Sequence, residues 1–518
     1  MAADAPHAAP APRRPRYDLL SQSTVAVVGL GKSGLAVVRF LLRRGATVLA
    51  CDDRDRDALA PTLATLGDLL HSARLRLCLG GLSGDVLLHA QLVVVSPGVP
   101  PTRPALARAR DAGIPITGEI ELAAHFVRAP IVGITGTNGK STVTSLCGAI
   151  ATATGRPTFC GGNLGTPLIA AVDEADRSVG PDGIVVCELS SYQLETADTL
   201  APIAATVLNL TPDHLDRYPS FAAYGDAKGR IFANMPVGTA APRVLSGDDP
   251  DVLAMYARTC GTAPALLFST RHTPATIDRS LPHHLTLCGW VDDARGDLVL
   301  SLPHTADSEE RYPIAELQII GRHNLGNALA AFLLMRAAGL ATYEQTRRAA
   351  ATFLPLPHRM QLVGEVDGIR YYDDSKGTNV DAVVAGLDGF PRPLALIAGG
   401  RDKGGSYAPL RDVLCRLPAH TPCRGIIVIG EAAPLITQAF AGCPFPVVPA
   451  ATMPEAVARA TALCRPGDAV VLSPACSSFD MFRDYAHRAQ VFVESLPHPT
   501  HPVAAPAPHD PARGAHAQ

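Results

Sequence analysis

One local pattern constrains this chain more than any other: a short β-branched run that ends in a glycine-rich loop and continues into a helix. It occurs twice. Residues 24–28 (Thr-Val-Ala-Val-Val) lead into Gly29-Leu30-Gly31-Lys32-Ser33-Gly34, and residues 130–134 (Pro-Ile-Val-Gly-Ile) lead into Thr135-Gly136-Thr137-Asn138-Gly139-Lys140-Ser141-Thr142. Each is the opening half of a βαβ unit. Further short strands alternate with Ala/Leu-rich helical stretches along the chain, so the sequence predicts an α/β protein built on parallel sheets.

At 518 residues the chain is long enough for three domains, on a prior of about 150 residues each. The pattern divides it into 17–127, 128–355 and 356–496: a Rossmann-like N-terminal domain, a central domain of P-loop ATPase type around a parallel sheet, and a Rossmann-like C-terminal domain. Residues 1–16 are rich in Ala, Pro and Arg, and 497–518 in Pro and His; such compositions bury too little apolar surface to offset ordering, and both are expected to be disordered tails. The stretch 236–316, rich in Pro, Thr, His and Asp, reads as an excursion from the central sheet with no evident chemistry.

Composition excludes several classes. A formal charge of −3 argues against a nucleic-acid binder, which carries a basic stripe or domain. No apolar run approaches 18 residues and the first 17 lack an apolar signal core, so neither membrane insertion nor export is expected. The 12 cysteines form no CxxC pair and no zinc spacing, which predicts reduced thiols in a cytoplasmic protein.

The first loop fits the G-x-G-x-x-G fingerprint, with acids at Asp52-Asp53 after the next strand; the glycines allow a tight turn and close approach of a diphosphate to a helix N-terminus. Alone it does not distinguish NAD from a UDP-sugar. The second loop resembles a P-loop, although Ile134 stands where the strict pattern has its first glycine. Backbone amides would cradle phosphates, Lys140 would reach the outer oxygens, and Ser141 or Thr142 would ligate Mg²⁺. A chain with both loops points away from a simple dehydrogenase, for which 136–142 has no use, and towards ATP-driven chemistry on a nucleotide-linked substrate.

Two further strands end in Glu188 and in Asn209, the latter followed by Asp213-His214. In open α/β sheets ligands bind outside the carboxyl ends of strands, so Glu188 and His214 are candidates for the same crevice, Glu188 either as a magnesium ligand or as a helix-capping acid. Lysine occupies only five of the 45 basic positions: Lys32, Lys140, Lys228, Lys376 and Lys403. Where arginine is the default cation, a retained lysine marks a place whose chemistry guanidinium cannot perform. For Lys228, on a helix starting near Ser220, a solvated helix lysine is the bland reading, and a weaker default in a chain that uses arginine eight times as often. In the third section the loops 373–379, 399–405 and 473–480 each follow a strand and should line one crevice. Cys476 there reads as packing, with no histidine to make it a nucleophile.

With these segments in view the chain resembles the Mur ligase family, in its D-glutamate-adding branch. The resemblance rests on GLGKSG (29–34), SPGV (96–99), GTNGKST (136–142), GGNLGTP (161–167), ELSSYQLE (188–195), DHLDRY (213–218), GRHNLGNALAA (321–331), LPHR (356–359), DDSKGTN (373–379), GGRDKGG (399–405) and SPACSSFDMF (473–482), in order and spanning all but the tails. It implies three domains that bind a UDP-substrate, ATP and an amino acid in turn. It implies a monomeric enzyme acting on small molecules, which adds D-glutamate to UDP-N-acetylmuramoyl-L-alanine through an acyl phosphate, for peptidoglycan precursor synthesis. The cofactors implied are ATP, two magnesium ions and a carbamate on Lys228.

The resemblance also implies roles. Catalysis falls to Lys140, Glu188, His214, Lys228 and Lys376, and metal binding to Ser141, Glu188, His214 and carbamylated Lys228. ATP would be held by Gly136, Thr137, Asn138, Gly139, Lys140, Ser141 and Thr142, together with Asn324, Asn327, Arg359 and Asp374. The UDP-substrate would meet Gly31, Lys32, Ser33, Asp52, Arg54, Gly98 and Asn163. D-Glutamate would meet Thr378, Lys403, Ser478, Phe479 and Tyr485, with closure of the third domain excluding water.

Overall fold

A computed structural model of the protein describes residues 17–173, 179–213, 217–236, 241–277, 281–302, 309–319, 321–354, 356–387 and 390–497. The expected tails and His214 lie outside the described residues. The chain forms two compact units: residues 1–317 with 326–353, and residues 318–325 with 354–518.

The first unit holds two sheets. The N-terminal one consists of β1 (Thr24–Val28), β2 (Thr47–Asp52), β3 (Leu75–Leu79), β4 (Leu92–Val95) and β5 (Ile116–Gly118), all parallel, in the order β3-β2-β1-β4-β5. Strand order reverses between β1 and β4, which opens a crevice at their carboxyl ends. The loops after these two strands meet there, where the Ser96 hydroxyl donates to the Gly29 carbonyl at 2.7 Å.

The middle sheet contains β6 (Ile131–Thr135), β7 (Thr158–Gly162), β8 (Ile184–Glu188), β9 (Ala204–Val207), β10 (Arg243–Ser246), β11 (Ala265–Ser269), β12 (Leu285–Asp292), β13 (Asp297–Leu300) and β14 (Glu310–Pro313). Their order is β14-β13-β12-β11-β10-β9-β6-β8-β7, parallel except where β13 pairs antiparallel with β12 and β14. Strands β6 and β8 are buried along their whole length rather than alternately, the signature of a parallel sheet covered on both faces. Each fully buried Val or Ile in them contributes about 2 kcal/mol of apolar transfer.

This sheet corrects the reading of 236–316. The stretch is no excursion: it supplies β10 to β14, five of the strands described. Its Pro, Thr and His residues are concentrated in the connections, whereas Arg243–Ser246 and Leu298–Leu300 are buried strand residues. Strands of four or five residues, β12 alone reaching eight, set among polar connections carry too weak a period to be seen against the composition.

The second unit carries β15 (Gln361–Val366), β16 (Ile369–Asp373), β17 (Leu394–Gly399), β18 (Cys423–Ile429), β19 (Val447–Pro449) and β20 (Ala469–Leu472), in the order β15-β16-β20-β17-β18-β19. Only the β15–β16 pair is antiparallel. Because β20 inserts between β16 and β17, the loops 373–379, 473–480 and 399–405 emerge side by side at one edge.

Candidate active site

The phosphate loop is shaped by two left-handed glycines. Gly136 has φ +148° and Gly139 has φ +83°, and a Cβ on Gly139 would sit 2.4 Å from Asn327 Oδ1; only glycine fits both the dihedral and the space. Gly139 caps the helix Lys140–Ala153, whose N-terminal end favours an anion. Asn209, at the end of β9, locks the loop: its Oδ1 accepts from Asn138 N–H at 2.7 Å and its Nδ2 donates to the Asn138 carbonyl at 3.0 Å. Thr137 adds a hydroxyl contact to Tyr224 at 3.1 Å. Ser141 and Thr142 are buried at the helix start.

Two lysines converge on this loop. Lys140 Nζ donates to the carbonyls of Gly136 at 2.9 Å and Thr137 at 2.8 Å, and Lys228 Nζ donates to the same Gly136 carbonyl at 2.9 Å. Lys228 lies on the helix Phe221–Gly229, capped by Ser220, and is only 2% exposed. Burial first, then the Lys140 cation, pushes its pKa well below the usual lysine value, against the opposing pull of Asp213 and Glu188. A buried amine biased towards its neutral form is nucleophilic.

Glu188 is the last residue of β8 and is buried. Its Oε1 accepts from Asn163 Nδ2 at 2.7 Å, while Asn163 N–H donates to the Glu188 carbonyl at 2.8 Å. Its Oε2 is buried without a hydrogen-bond partner among the described residues. An unsatisfied carboxylate oxygen costs free energy unless something else binds it. The Glu188 carboxylate and the Ser141 hydroxyl are the kind of hard oxygen donors that Mg²⁺ accepts when phosphates supply the remaining ligands. Among the described residues no cluster of three or more His, Cys, Asp or Glu forms a self-sufficient metal cage.

The N-terminal crevice is built as its glycines suggest. Gly29 has φ +89°, and a Cβ on Gly34 would fall 1.9 Å from the Gly29 carbonyl oxygen. Gly31, Lys32, Arg54 and Gly98 are exposed around it, and Ser33 is half-buried. Asp52 is already engaged: Oδ2 accepts from Leu30 N–H at 2.7 Å, and Arg54 donates to both oxygens at 2.9 Å. Burial raises its pKa, but Arg54 and the Leu30 amide outweigh that and hold it at about 2. The acid expected to face a ribose therefore first anchors the loop, and any ribose contact shares those oxygens.

In the second unit Asp374 is buried, accepting from the Ser473 hydroxyl and, at 3.3 Å, from Met360 N–H. Burial lifts its pKa to about 7. His358 and Met360, which flank Arg359, both have positive φ, so this segment is held in a strained bend. Lys376 Nζ stands 5.7 Å from the centre of the Tyr485 ring, which joins those two expected residues. Arg401 and Ser477 exchange backbone hydrogen bonds, tying the loop of Lys403 to that of Ser478. Ser478 is buried, whereas Phe479 is 65% exposed and Lys403 is exposed. Thr378 is half-buried beside Lys376, its N–H bonding the Lys376 carbonyl at 2.9 Å. Cys476 is buried with its sulfur 3.1 Å from the Tyr407 hydroxyl. Asn324 and Asn327 lie one turn apart on the helix Arg322–Ala337.

Three domain models of one family match in chain order. The MurD-like N-terminal domain of Mur ligases matches residues 23–118, the Mur ligase middle domain 134–335, and the Mur ligase glutamate ligase domain 358–476. The UDP-N-acetylmuramoylalanine–D-glutamate ligase of Syntrophotalea carbinolica is 43% identical over 476 residues, 91% of this chain and 97% of that protein. This chain belongs to the Mur ligase family. The protein of the same name from Geobacter sp. strain M21 is 42% identical over 92% of this chain and 98% of its own length.

Solved Mur ligases share the fold. The UDP-N-acetylmuramate-alanine ligase of Thermotoga maritima has a TM-score of 0.55 at 18% identity, covering 91% of this chain and 98% of that one. The MurF ligase of the same organism, solved in complex with ADP, has a TM-score of 0.54 at 16% identity, covering 92% and 98%. The three-domain Mur ligase architecture is thus established here.

Three groups at this Mur ligase site escaped the sequence reading. Asn209 is one, though its strand-end position is the signal that marked Glu188. A second is the cluster in which Arg217 lies 3.9 Å over the Tyr192 ring and donates to Glu195 at 2.5 Å and the Pro97 carbonyl at 3.1 Å. It lines a cavity with Ser96, Val99 and Glu119; its members lie in the segments 96–99, 188–195 and 213–218, and nothing local shows that they meet. The third is Arg488, fully buried, which donates to the Cys476 carbonyl at 3.1 Å and the Ser375 carbonyl at 2.8 Å. It staples two of the third domain's loops together.

Proposed function

We propose that this Mur ligase joins D-glutamate to UDP-N-acetylmuramoyl-L-alanine at the expense of ATP, in peptidoglycan precursor synthesis. The observation that carries this reading is the match along 97% of a ligase bearing that activity in its name, at 43% identity. In support, Lys140 and Lys228 both reach the Gly136 carbonyl, and Glu188 meets Asn163 at the carboxyl end of β8.

In this reading the loop amides of 136–142 and Lys140 hold the ATP phosphates, with Asn324, Asn327, Arg359 and Asp374 as further ATP contacts. Asn163 and the N-terminal loop, from Gly31 to Ser33 with Asp52, Arg54 and Gly98, orient the UDP-linked substrate. Its alanyl carboxylate attacks the γ-phosphorus in line; the bond to ADP breaks and an acyl phosphate forms. The D-glutamate amine, positioned by Thr378, Lys403, Ser478, Phe479 and Tyr485, then attacks the acyl carbon. Phosphate leaves, the amine loses a proton and an amide remains. Lys376 offsets charge at the acyl phosphate. The protein mainly positions groups and stabilises charge.

Ser141, Glu188, His214 and modified Lys228 would hold magnesium, two ions in this reading. The chemistry magnesium supplies when bound is charge neutralisation on the phosphates. Lys228, biased neutral by burial and Lys140, takes up CO₂: its nitrogen bonds the carbon, one proton leaves and a carbamate anion results. Guanidinium could not do this. The substrates are small molecules, so the reading requires no nucleic-acid partner, and among the described residues no helix is long and apolar enough to cross a membrane. It places a monomer in the cytoplasm, where ATP is available.

The deciding test is ADP release with UDP-N-acetylmuramoyl-L-alanine and each candidate amino acid. Turnover should require D-glutamate. Equal turnover with L-glutamate or L-alanine would refute the assignment.

A further inference from the structure

We propose that Cys415 and Cys443 form a redox-active dithiol that hydroperoxides convert into an internal disulfide, clasping two helical segments of the third domain away from its substrate loops. Their sulfurs stand 3.3 Å apart, so closure to a bond of about 2 Å needs little more than a side-chain rotation. Of the twelve cysteines, all within the described residues, Cys415 alone is exposed.

The placement is set by the fold. Cys415 is near the C-terminal end of the helix Ala408–Arg416, which follows the loop after β17. Cys443 follows the helix Ala433–Ala439, which comes after β18, and its N–H bonds the Phe440 carbonyl at 3.2 Å. Both helices begin near the carboxyl ends of their strands and run back, so the dithiol sits at the opposite end of the sheet from Lys403. A bond there closes a loop of 28 residues without touching the substrate loops. The inference therefore does not depend on the reaction assigned above.

The chemistry runs in a defined order. Cys415 is the exposed sulfur of the pair and meets the oxidant first. Cys443 is the poorer starting point, because burial and its contact with Cys415 push its thiol up to about 11. The Cys415 sulfur attacks one oxygen of hydrogen peroxide as the O–O bond breaks, giving sulfenic acid, and the proton released by its thiol turns the departing hydroxide into water. The Cys443 sulfur then displaces the hydroxyl, which leaves with the Cys443 proton as a second water. The two sulfurs lose two electrons and the peroxide gains them. The competing pair is Cys51 and Cys78, register partners on β2 and β3. There Cys51 is buried with its thiol pushed to about 12, out of reach of oxidant.

The test uses the full-length reduced chain and hydrogen peroxide. Thiol titration should show loss of two thiols per chain. Peptide mass spectrometry without reductant should show one linked pair containing Cys415 and Cys443. Thermal melting should rise by about 5 °C, the order expected for closing a loop of this size, and dithiothreitol should reverse it. Cys415→Ser and Cys443→Ser should each abolish the link and the rise, while Cys51→Ser should preserve both. Over-oxidation of Cys415 without a link, a link to Cys423 or Cys78, or disulfides between chains would each overturn the proposal.

Discussion

Lys140 and Lys228 donate to one acceptor, the Gly136 carbonyl oxygen, each at 2.9 Å. Two cations cannot both remain fully charged at so short a range in a buried place without cost. The burden falls on Lys228, the more deeply enclosed of the pair, whose pKa is driven well down. The arrangement makes Lys228 the chemically adaptable amine of the pair.

Lys228→Ala is accordingly expected to lower the rate of ADP formation by about 10²–10³, the scale for loss of one charge-stabilising group. Short-chain carboxylic acids should restore part of it by supplying the missing oxygens. Lys228→Arg should be as damaging, because guanidinium stays charged and cannot take up CO₂. Full activity in Lys228→Ala would refute the role.

The N-terminal crevice carries a pH signature. Burial raises the Glu119 carboxyl from 4.5 to about 7, while one oxygen accepts from Ile169 N–H at 2.7 Å. The folded state therefore holds the proton more tightly than the unfolded chain. That contribution is fully present below about pH 4.5, falls as pH rises, and is lost above about pH 7. Glu119→Gln removes the titration, so its stability relative to the parent should improve by about 2–3 kcal/mol between pH 5 and pH 8. Urea unfolding at the two pH values checks this; an unchanged difference would contradict the assignment.

Arg488 is a buried cation with two carbonyl partners on different loops. Arg488→Met should destabilise the protein by about 3 kcal/mol, from loss of two charge-assisted hydrogen bonds. In steady-state kinetics it should raise the KM for D-glutamate several-fold more than that for ATP, since the loops it fastens carry Thr378 and Ser478. Equal effects on both constants would assign it a general stabilising role only.

The remaining lysines separate cleanly. Lys32 is exposed at the first turn of the helix Lys32–Arg43, so Lys32→Arg should change kcat/KM less than about twofold, as surface substitutions usually do. Lys403→Arg, placed against a substrate carboxylate, should cost about tenfold or more, because the wide planar fork does not occupy the place of a compact ammonium. Comparable losses at both positions would overturn the distinction.

Much of this site could be read along the chain. The two glycine loops, the strand-end Glu188 and the helix bearing Lys228 are local features, set by spacing and by backbone positions that only glycine adopts. The order of the family's segments was equally visible. The register of the middle sheet was not: β10 to β14 are short, and their place beside β9 depends on pairing between residues tens of positions apart. Asp52 illustrates the same limit, since its commitment to Leu30 and Arg54 follows from how two neighbouring loops fold back on one another.

What the sequence determined by itself was therefore the set of chemical groups and the local loops that carry them, because turn geometry and strand–helix alternation are decided within a few residues. What only the tertiary structure decided was which groups face one another: two lysines on one carbonyl, Asn163 on Glu188, Arg488 between two loops, and two cysteines in sulfur contact. Burial and electrostatic coupling depend on neighbours brought together from distant parts of the chain, and those neighbours turn an ordinary lysine into a reactive amine.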